Sequence, residues 1–381
     1  MSEKPIEKQI KELLPRITQI FASSNINFLI WSGASKDFLP TLNTIEDDIN
    51  SATDDISKAE KYKEYFEKVM LPNKMIISWD FGSEKLFKWD DSGTVPSWTI
   101  RTKVEAEGEF SKTYTIYIEF LKVLTQLVLD RKTTVLSRQV NLFTTNIDIF
   151  LEYALESLGL HYNDGFLWRL NAIFDLSNFK QSIIQRSHHF DNRSEIPVFN
   201  LLKIHWSLTW KYKSQTPSPD QKISLSWDLS HFDSTLMTKT GIDFINEYKS
   251  KLLIVNPEES KFSQTVLNTY YYELLRSYSS ELEKENSVLF IVWFSMVDRH
   301  IREITKRAAR SNPTLQIFIF LFSSRQKSKI ETWMEIDKNP NIKIISPEYT
   351  EAVDKYSFDL ETITKEVLSE INFNQKTNGS E

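Results

Sequence analysis

Three apolar runs end on side chains that could do chemistry. NFLIW (27–31) stops in Ser32-Gly33-Ala34-Ser35, VNLFTTN (140–146) stops on Asn146, and PVFNLLKIHWSLTW (197–210) carries His205 where its strand closes. A buried strand that breaks into a small-residue turn before a helix opens a dinucleotide-binding unit. Glycine lets a pyrophosphate approach the backbone, and helix-start amides face it. Asn146 has two readings: a ligand-facing amide at a strand's C-terminal end, or a cap for the following helix, which Asp148 could also supply. His205 is either a ligand-facing imidazole or a satisfied core histidine. Cysteine is absent, which removes thiol nucleophiles, disulfides and thiolate zinc sites. The six histidines show no spaced metal signature, so no metal site is expected. His188 and His189 are neighbours in a polar stretch and point apart as a loop pair.

Short apolar strands alternating with helices must position these groups. Beyond the three runs above, LLIVNP (252–257), VLFIVWF (288–294), LQIFIFLF (315–322) and NIKIIS (341–346) read as strands. Helices are expected over 5–22 (with Pro15 as a kink), 148–159 (with Gly159 as C-cap), 270–283 and from Asp298 onward. This alternation predicts an α/β, Rossmann-like parallel sheet with helices on both faces. Residues 42–130 read as a largely helical insertion after the first strand, 1–371 as one domain, and NFNQKTNGSE (372–381) as a disordered tail.

The chain has 381 residues, 40% of them hydrophobic, and a net charge of −6. That charge gives no general footprint for nucleic acid, so no direct nucleic-acid binding is expected. No apolar run reaches the roughly 18 residues of a membrane span, and the charged start lacks a signal-peptide core. These features predict a cytoplasmic protein with no membrane contact. The amphipathic stripe over 6–20 is expected to meet its own core or another subunit, and the helical segments are expected to carry self-association.

The strand ends also resemble a known family. FLIWSGASKDFLPTL looks like the sirtuin-type phosphate loop. TTNIDIFLEYAL (144–155), followed by NDGF (163–166), is similar to the Thr-Thr-Asn-Tyr-Asp-hydrophobic-Glu block. KIHWSLTW (203–210) resembles Lys-Leu-His-Gly-Ser-hydrophobic-x-Trp, and VLFIVWFSMVDRHIREI (288–304) resembles Gly-Tyr-Ser-Phe-x-Asp-x-His-Ile, with PEESKFSQTVLNTYYYELLR (257–276) fitting the segment before it. Without cysteine, the resemblance is to the zinc-free prokaryotic sirtuin-like branch that hydrolyses NAD in phage defence. It implies NAD as substrate and a partner such as a HerA-type ATPase, an Argonaute or another sensor. It assigns Asn146 to positioning water and ribose, His205 to the base, and Gly33, Ala34, Ser35, Asp148, Ser207 and Ser295 to the nucleotide. Asp298 matches the late block, where it could equally cap its helix, and His300 reads as a helix-face residue.

One departure recurs. Where this family has glycine, the chain has Trp31, Trp206 and Trp293, among only eight glycines and as many as ten tryptophans in the whole sequence. A tryptophan ring buries roughly 150–250 Å². If the three rings converge near Asn146, they occupy the space of NAD. The alternative to an active hydrolase is then a sirtuin-like pseudoenzyme, acting as scaffold or nucleotide sensor.

Overall fold

The computed structural model describes residues 5–39, 49, 51–66, 69, 72–73, 76, 86–88, 99–101, 103–133, 135–167, 170–188, 191–205, 207–213, 222–227, 236–251, 253, 269–293, 298–350, 353–354 and 356–373. Its centre is a parallel sheet of seven strands: β1 (Asn25–Ile30), β2 (Gln139–Thr144), β3 (Tyr162–Asn163), β4 (Val198–Lys203), β5 (Ser287–Val292), β6 (Gln316–Phe320) and β7 (Ile342–Ile345). Their order across the sheet is β7-β6-β5-β1-β2-β4-β3. Alternate side chains enter two separate cores. Phe28, Ile30, Leu142, Phe290 and Phe318 face one, while Leu29, Phe143, Leu202, Ile291 and Ile319 face the other. A parallel sheet covered on both faces buries whole strands, which is why these runs are apolar without alternation.

The helices divide between the two faces. α1 (Pro5–Ser23), α2 (Asp55–Tyr65), α3 (Lys103–Asp130) and α4 (Phe150–Ser157) come before β4 in the chain. Ile10, Ile17 and Phe21 of α1 sit in the first core, with the Phe21 ring 5.8 Å from Phe290. The apolar stripe of α1 is thus spent on its own core. α5 (Gly241–Lys251) joins α2 in a small third cluster through Tyr62 and Tyr248. α6 (Thr269–Glu283), α7 (Arg299–Ser311) and α8 (Lys327–Met334) cover the second face through Tyr278, Ile301 and Ile330. The insertion after β1 holds α2, α3 and a short ribbon pairing Leu86–Lys88 with Thr99–Arg101.

A row of asparagines locks the register. Asn27, Asn141 and Asn200 are direct cross-strand partners. Asn200 Nδ2 donates to Asn141 Oδ1 at 2.9 Å, and Asn141 Nδ2 to Asn27 Oδ1 at 2.8 Å. A one-residue slip would break this ladder and turn each strand's apolar set to the wrong face.

Several expectations shift. The seventh strand is the two-residue β3; LLIVNP lies outside the described residues except for the buried Leu253. The helix expected at 148–159 is α4, starting at Phe150, and Gly159 follows it with a φ of 63°, the conformation of a helix-ending glycine. A small antiparallel sheet (Trp210–Tyr212, Ile223–Leu225, Ile173–Phe174, Phe166–Leu167) was not expected, because strands of two or three residues leave no periodic signal. Most of the tail, from 374, is outside the described residues. No described helix is long and apolar enough to cross a membrane.

Candidate active site

From β1 the chain steps to β2 on one side, and after β4 it returns to β5 on the other side of β1. The β1/β5 boundary is the point where successive connections leave in opposite directions, and ligands bind at the carboxyl ends of strands there. The turn Ser32–Ser35 follows β1, Asn146 and His205 follow β2 and β4, and Trp293 follows β5. All lie at one edge of the sheet.

Asn146 is tied to the turn. Thr144 Oγ1 donates to the Ile30 carbonyl at 2.9 Å and accepts the Asn146 backbone N–H at 3.0 Å. The Asn146 amide nitrogen donates to the Trp31 carbonyl at 3.2 Å, which also accepts the Ala34 N–H. A carbonyl can only accept, so the amide is oriented: its nitrogen faces the turn. Its oxygen is left buried without a hydrogen-bond partner among the described residues. An orphaned buried acceptor costs about 1–3 kcal/mol and needs a reason.

Beneath the turn runs a second network. Ser35 Oγ donates to Asp148 Oδ2 at 2.9 Å and lies 2.9 Å from the Tyr117 hydroxyl. Burial, then the Asp148 charge, push the Tyr117 hydroxyl well above its usual range, so it stays protonated and donates to Ser35. Asp148 Oδ1 accepts the Phe150 N–H at 3.2 Å, while burial raises its carboxyl against the opposing charge of Lys203. Lys203 is fully enclosed: it donates to the Asp148 carbonyl, to Glu152 Oε1 at 2.6 Å and to Ser207 Oγ at 3.2 Å. This buried ion pair staples the segment after β2 to the end of β4, and so sets where Asn146 and His205 lie. Ser35, Asp148 and Ser207 are therefore bonded to one another's neighbours below the turn. Sequence reasoning missed the Lys203–Glu152 pair, although both residues stand in the quoted blocks.

His205 is buried, its ring 6.2 Å from Trp31 and stacked at 6.3 Å on Tyr271. Its Nε2 lies 3.4 Å from Nε2 of His300, which in turn lies 2.9 Å from the Tyr271 hydroxyl. Asp298 holds the N-cap position of α7, yet its side chain makes no capping bond. Instead its carboxylate gathers with His205 and His300, one ligand atom of each within 4.8 Å of the others. So His300 lies beside His205 rather than on a bare helix face, and the Asp298 side chain does not cap. The same trio has the composition of a divalent-cation site, which spacing along the chain could not show because positions 205 and 298–300 are far apart.

Gly33 explains itself through Trp293. A Cβ at Gly33 would lie 1.2 Å from Cε3 of the Trp293 ring, so the indole rests directly on the glycine. Trp293 has a φ of 63°, a left-handed backbone that a bulky residue seldom adopts. The strand end keeps a glycine's conformation with a tryptophan in it. The ring packs 4.1 Å from Phe322, with the Lys36 ammonium 4.4 Å from its centroid, and its indole N–H is buried without a partner among the described residues. Of the three tryptophans expected to converge, Trp31 and Trp293 flank the same turn, while Trp206 lies outside the described residues, as does Ser295.

Comparison with curated proteins finds no relative that matches. Residues 140–345, more than half of the chain and including β2 through β7, match the SIR2-like domain family. That span holds Asn146, His205, Trp293 and His300, and SIR2-like domains bind NAD; the chain belongs to the SIR2-like domain family.

Proposed function

We propose that this protein is an NAD+ glycohydrolase, cleaving the bond between nicotinamide and ribose. The observation that carries this is the buried amide oxygen of Asn146, without a partner among the described residues, at the sheet's switch point beside the glycine turn. In the reaction, the C1′–N bond breaks with its electron pair passing to the nicotinamide ring, which leaves neutral. Water adds at C1′, and its proton departs to a base. The leaving group needs no acid, so the protein's task is to hold the ribose and aim the water. An amide oxygen that can only accept suits a water O–H, and a buried imidazole suits the departing proton. Family membership supports NAD as the ligand. We further propose that hydrolysis serves antiviral defence by depleting NAD once a partner sensor, such as a HerA-type ATPase or an Argonaute, engages the protein.

The Trp293 ring on Gly33 favours a second reading. The face of the turn that a pyrophosphate would use is covered, so NAD must displace the indole or bind without touching Gly33. A pseudoenzyme acting as scaffold or nucleotide sensor would show the same geometry. Nicotinamide release by the purified protein, alone and with the product of its neighbouring gene, decides between them. Release that disappears in Asn146→Ala and His205→Ala supports the hydrolase. NAD bound without release supports the sensor, and neither binding nor release supports the scaffold.

A further inference from the structure

The second histidine of the site has no role in the hydrolase as stated so far. His300 Nε2 carries either one lone pair or one proton, and two groups converge on it: the Tyr271 hydroxyl at 2.9 Å and His205 Nε2 at 3.4 Å. Two unprotonated nitrogens would repel at that separation, so a proton sits between the rings. The Tyr271 hydroxyl can rotate, so its hydrogen turns away while His205 donates to the His300 lone pair, and its oxygen accepts once Nε2 is protonated. The Asp298 side chain makes no capping bond to its helix and brings a carboxylate to the pair.

We propose that His300 is a positioning residue that takes over the proton received by His205, with Tyr271 and Asp298 holding it for that step. The inference rests on the hydrolase reading. Before reaction His205 carries its proton on Nε2 and His300 on Nδ1. The proton leaving the attacking water bonds to His205 Nδ1, and the Nε2 proton of His205 passes to His300 Nε2. His205 ends neutral as the other tautomer. His300 ends as an imidazolium beside the Asp298 carboxylate, with its new N–H donating to the Tyr271 oxygen. No other reactant is needed, and the proton returns to solvent from His300, which is partly exposed. A divalent cation on the same three residues is the competing use.

The experiment compares wild type, His300→Gln, His300→Ala, Tyr271→Phe and Asp298→Asn by NAD turnover, melting temperature and nitrogen-15 spectra of the histidine rings. Glutamine keeps a hydrogen-bonding group but cannot relay a proton. Both His300 variants are expected to lower kcat about 100-fold with KM for NAD within about threefold, and Tyr271→Phe about tenfold. A His300→Gln variant with wild-type kcat reduces His300 to an orienting contact and overturns the relay. If wild type itself releases no nicotinamide, the hydrolase reading fails separately and the spectra still decide. The His205 ring must then switch tautomer or titrate differently in His300→Ala and Asp298→Asn, and unchanged His205 signals overturn the proposal. Stoichiometric Zn2+ binding to wild type that His300→Ala abolishes also overturns it, in favour of a metal site.

Discussion

Replacing Trp293 with glycine separates the closed pocket from the fold. The losses come first. A half-buried indole gives up about 100 Å² of apolar contact, or about 2.5 kcal/mol at 25 cal/mol per Å². Its cation–π contact with Lys36 adds about 0.5–1 kcal/mol, and glycine's extra freedom in the unfolded chain about as much again. Against these, a non-glycine residue at a φ of 63° stores about 1–2 kcal/mol, and the orphaned indole N–H about 1–3 kcal/mol. The sums nearly cancel. Trp293→Gly should destabilise by no more than about 2 kcal/mol, whereas truncating a core tryptophan costs about 3–5 kcal/mol. Trp31→Ala, at a buried site where no positive φ is relieved, serves as the comparison and should fall in that larger range. The variant also uncovers Gly33, so NAD no longer has to displace the ring, and affinity should rise about tenfold, equivalent to about 1.4 kcal/mol. Chemical denaturation and calorimetric titration with NAD read the two effects. A variant that loses about 4 kcal/mol and binds NAD no better would show that the indole is ordinary core and that Gly33 takes no part in binding.

Other consequences follow from the buried networks. Lys203→Met should cost about 3–5 kcal/mol, because it strands the Glu152 carboxylate in a dry site; Lys203→Met with Glu152→Leu should recover most of that loss in denaturant melts. Asp148→Ala should cost more than the roughly 1 kcal/mol of a lost cap, since Asp148 also holds Ser35, and the melting temperature will tell. Asp164 is partly exposed, and burial pushes its carboxyl up to about 6 from 3.8, so the folded state binds its proton more tightly than the unfolded one. Stability should therefore fall as pH rises from about 4 to about 6, and Asp164→Asn should be more stable at pH 7.5 by roughly 2 kcal/mol, an advantage that vanishes below pH 4. Deleting residues 1–22 should melt the fold rather than merely dissociate an assembly, because Ile10, Ile17 and Phe21 sit in the main core.

The sheet was legible because most of its strands are buried on both faces and, besides the asparagines and Lys343, carry polar residues only at their ends. Six of its seven strands announce themselves as apolar runs. The seventh, Tyr162–Asn163, does not, since it needs only two residues and takes its place by pairing with Phe199 and Asn200. The asparagine row was also present in the sequence: NFLI, NLFT and NLLK each place Asn three residues before the strand ends. Equal offsets from a shared edge are what in-register parallel strands require, so the row could have predicted that β1, β2 and β4 are neighbours.

The positions of the candidate site residues were legible only where a single element marks them. Asn146 and His205 stand at strand ends, and a strand end marks itself by the break in its apolar run. His300 and Asp298 are on a helix start, where aspartate reads as a cap and histidine as surface, and nothing local says otherwise. Only their approach to His205, roughly a hundred positions earlier in the chain, changes the meaning, and that approach depends on β5 and β4 lying on opposite sides of β1 and β2. Trp293 is the reverse case. The sequence shows the odd residue plainly, but its consequence lies in a torsion angle: a φ of 63° that glycine would adopt freely, retained under a ring that then settles on Gly33. The two halves of the edge therefore point in different directions. On the proposed reading the amide and imidazole after β2 and β4 serve a ribose and a water, while the turn after β1 is covered by the residue after β5. The Asn146 oxygen at that edge, buried without a partner among the described residues, is the reason to test hydrolysis first.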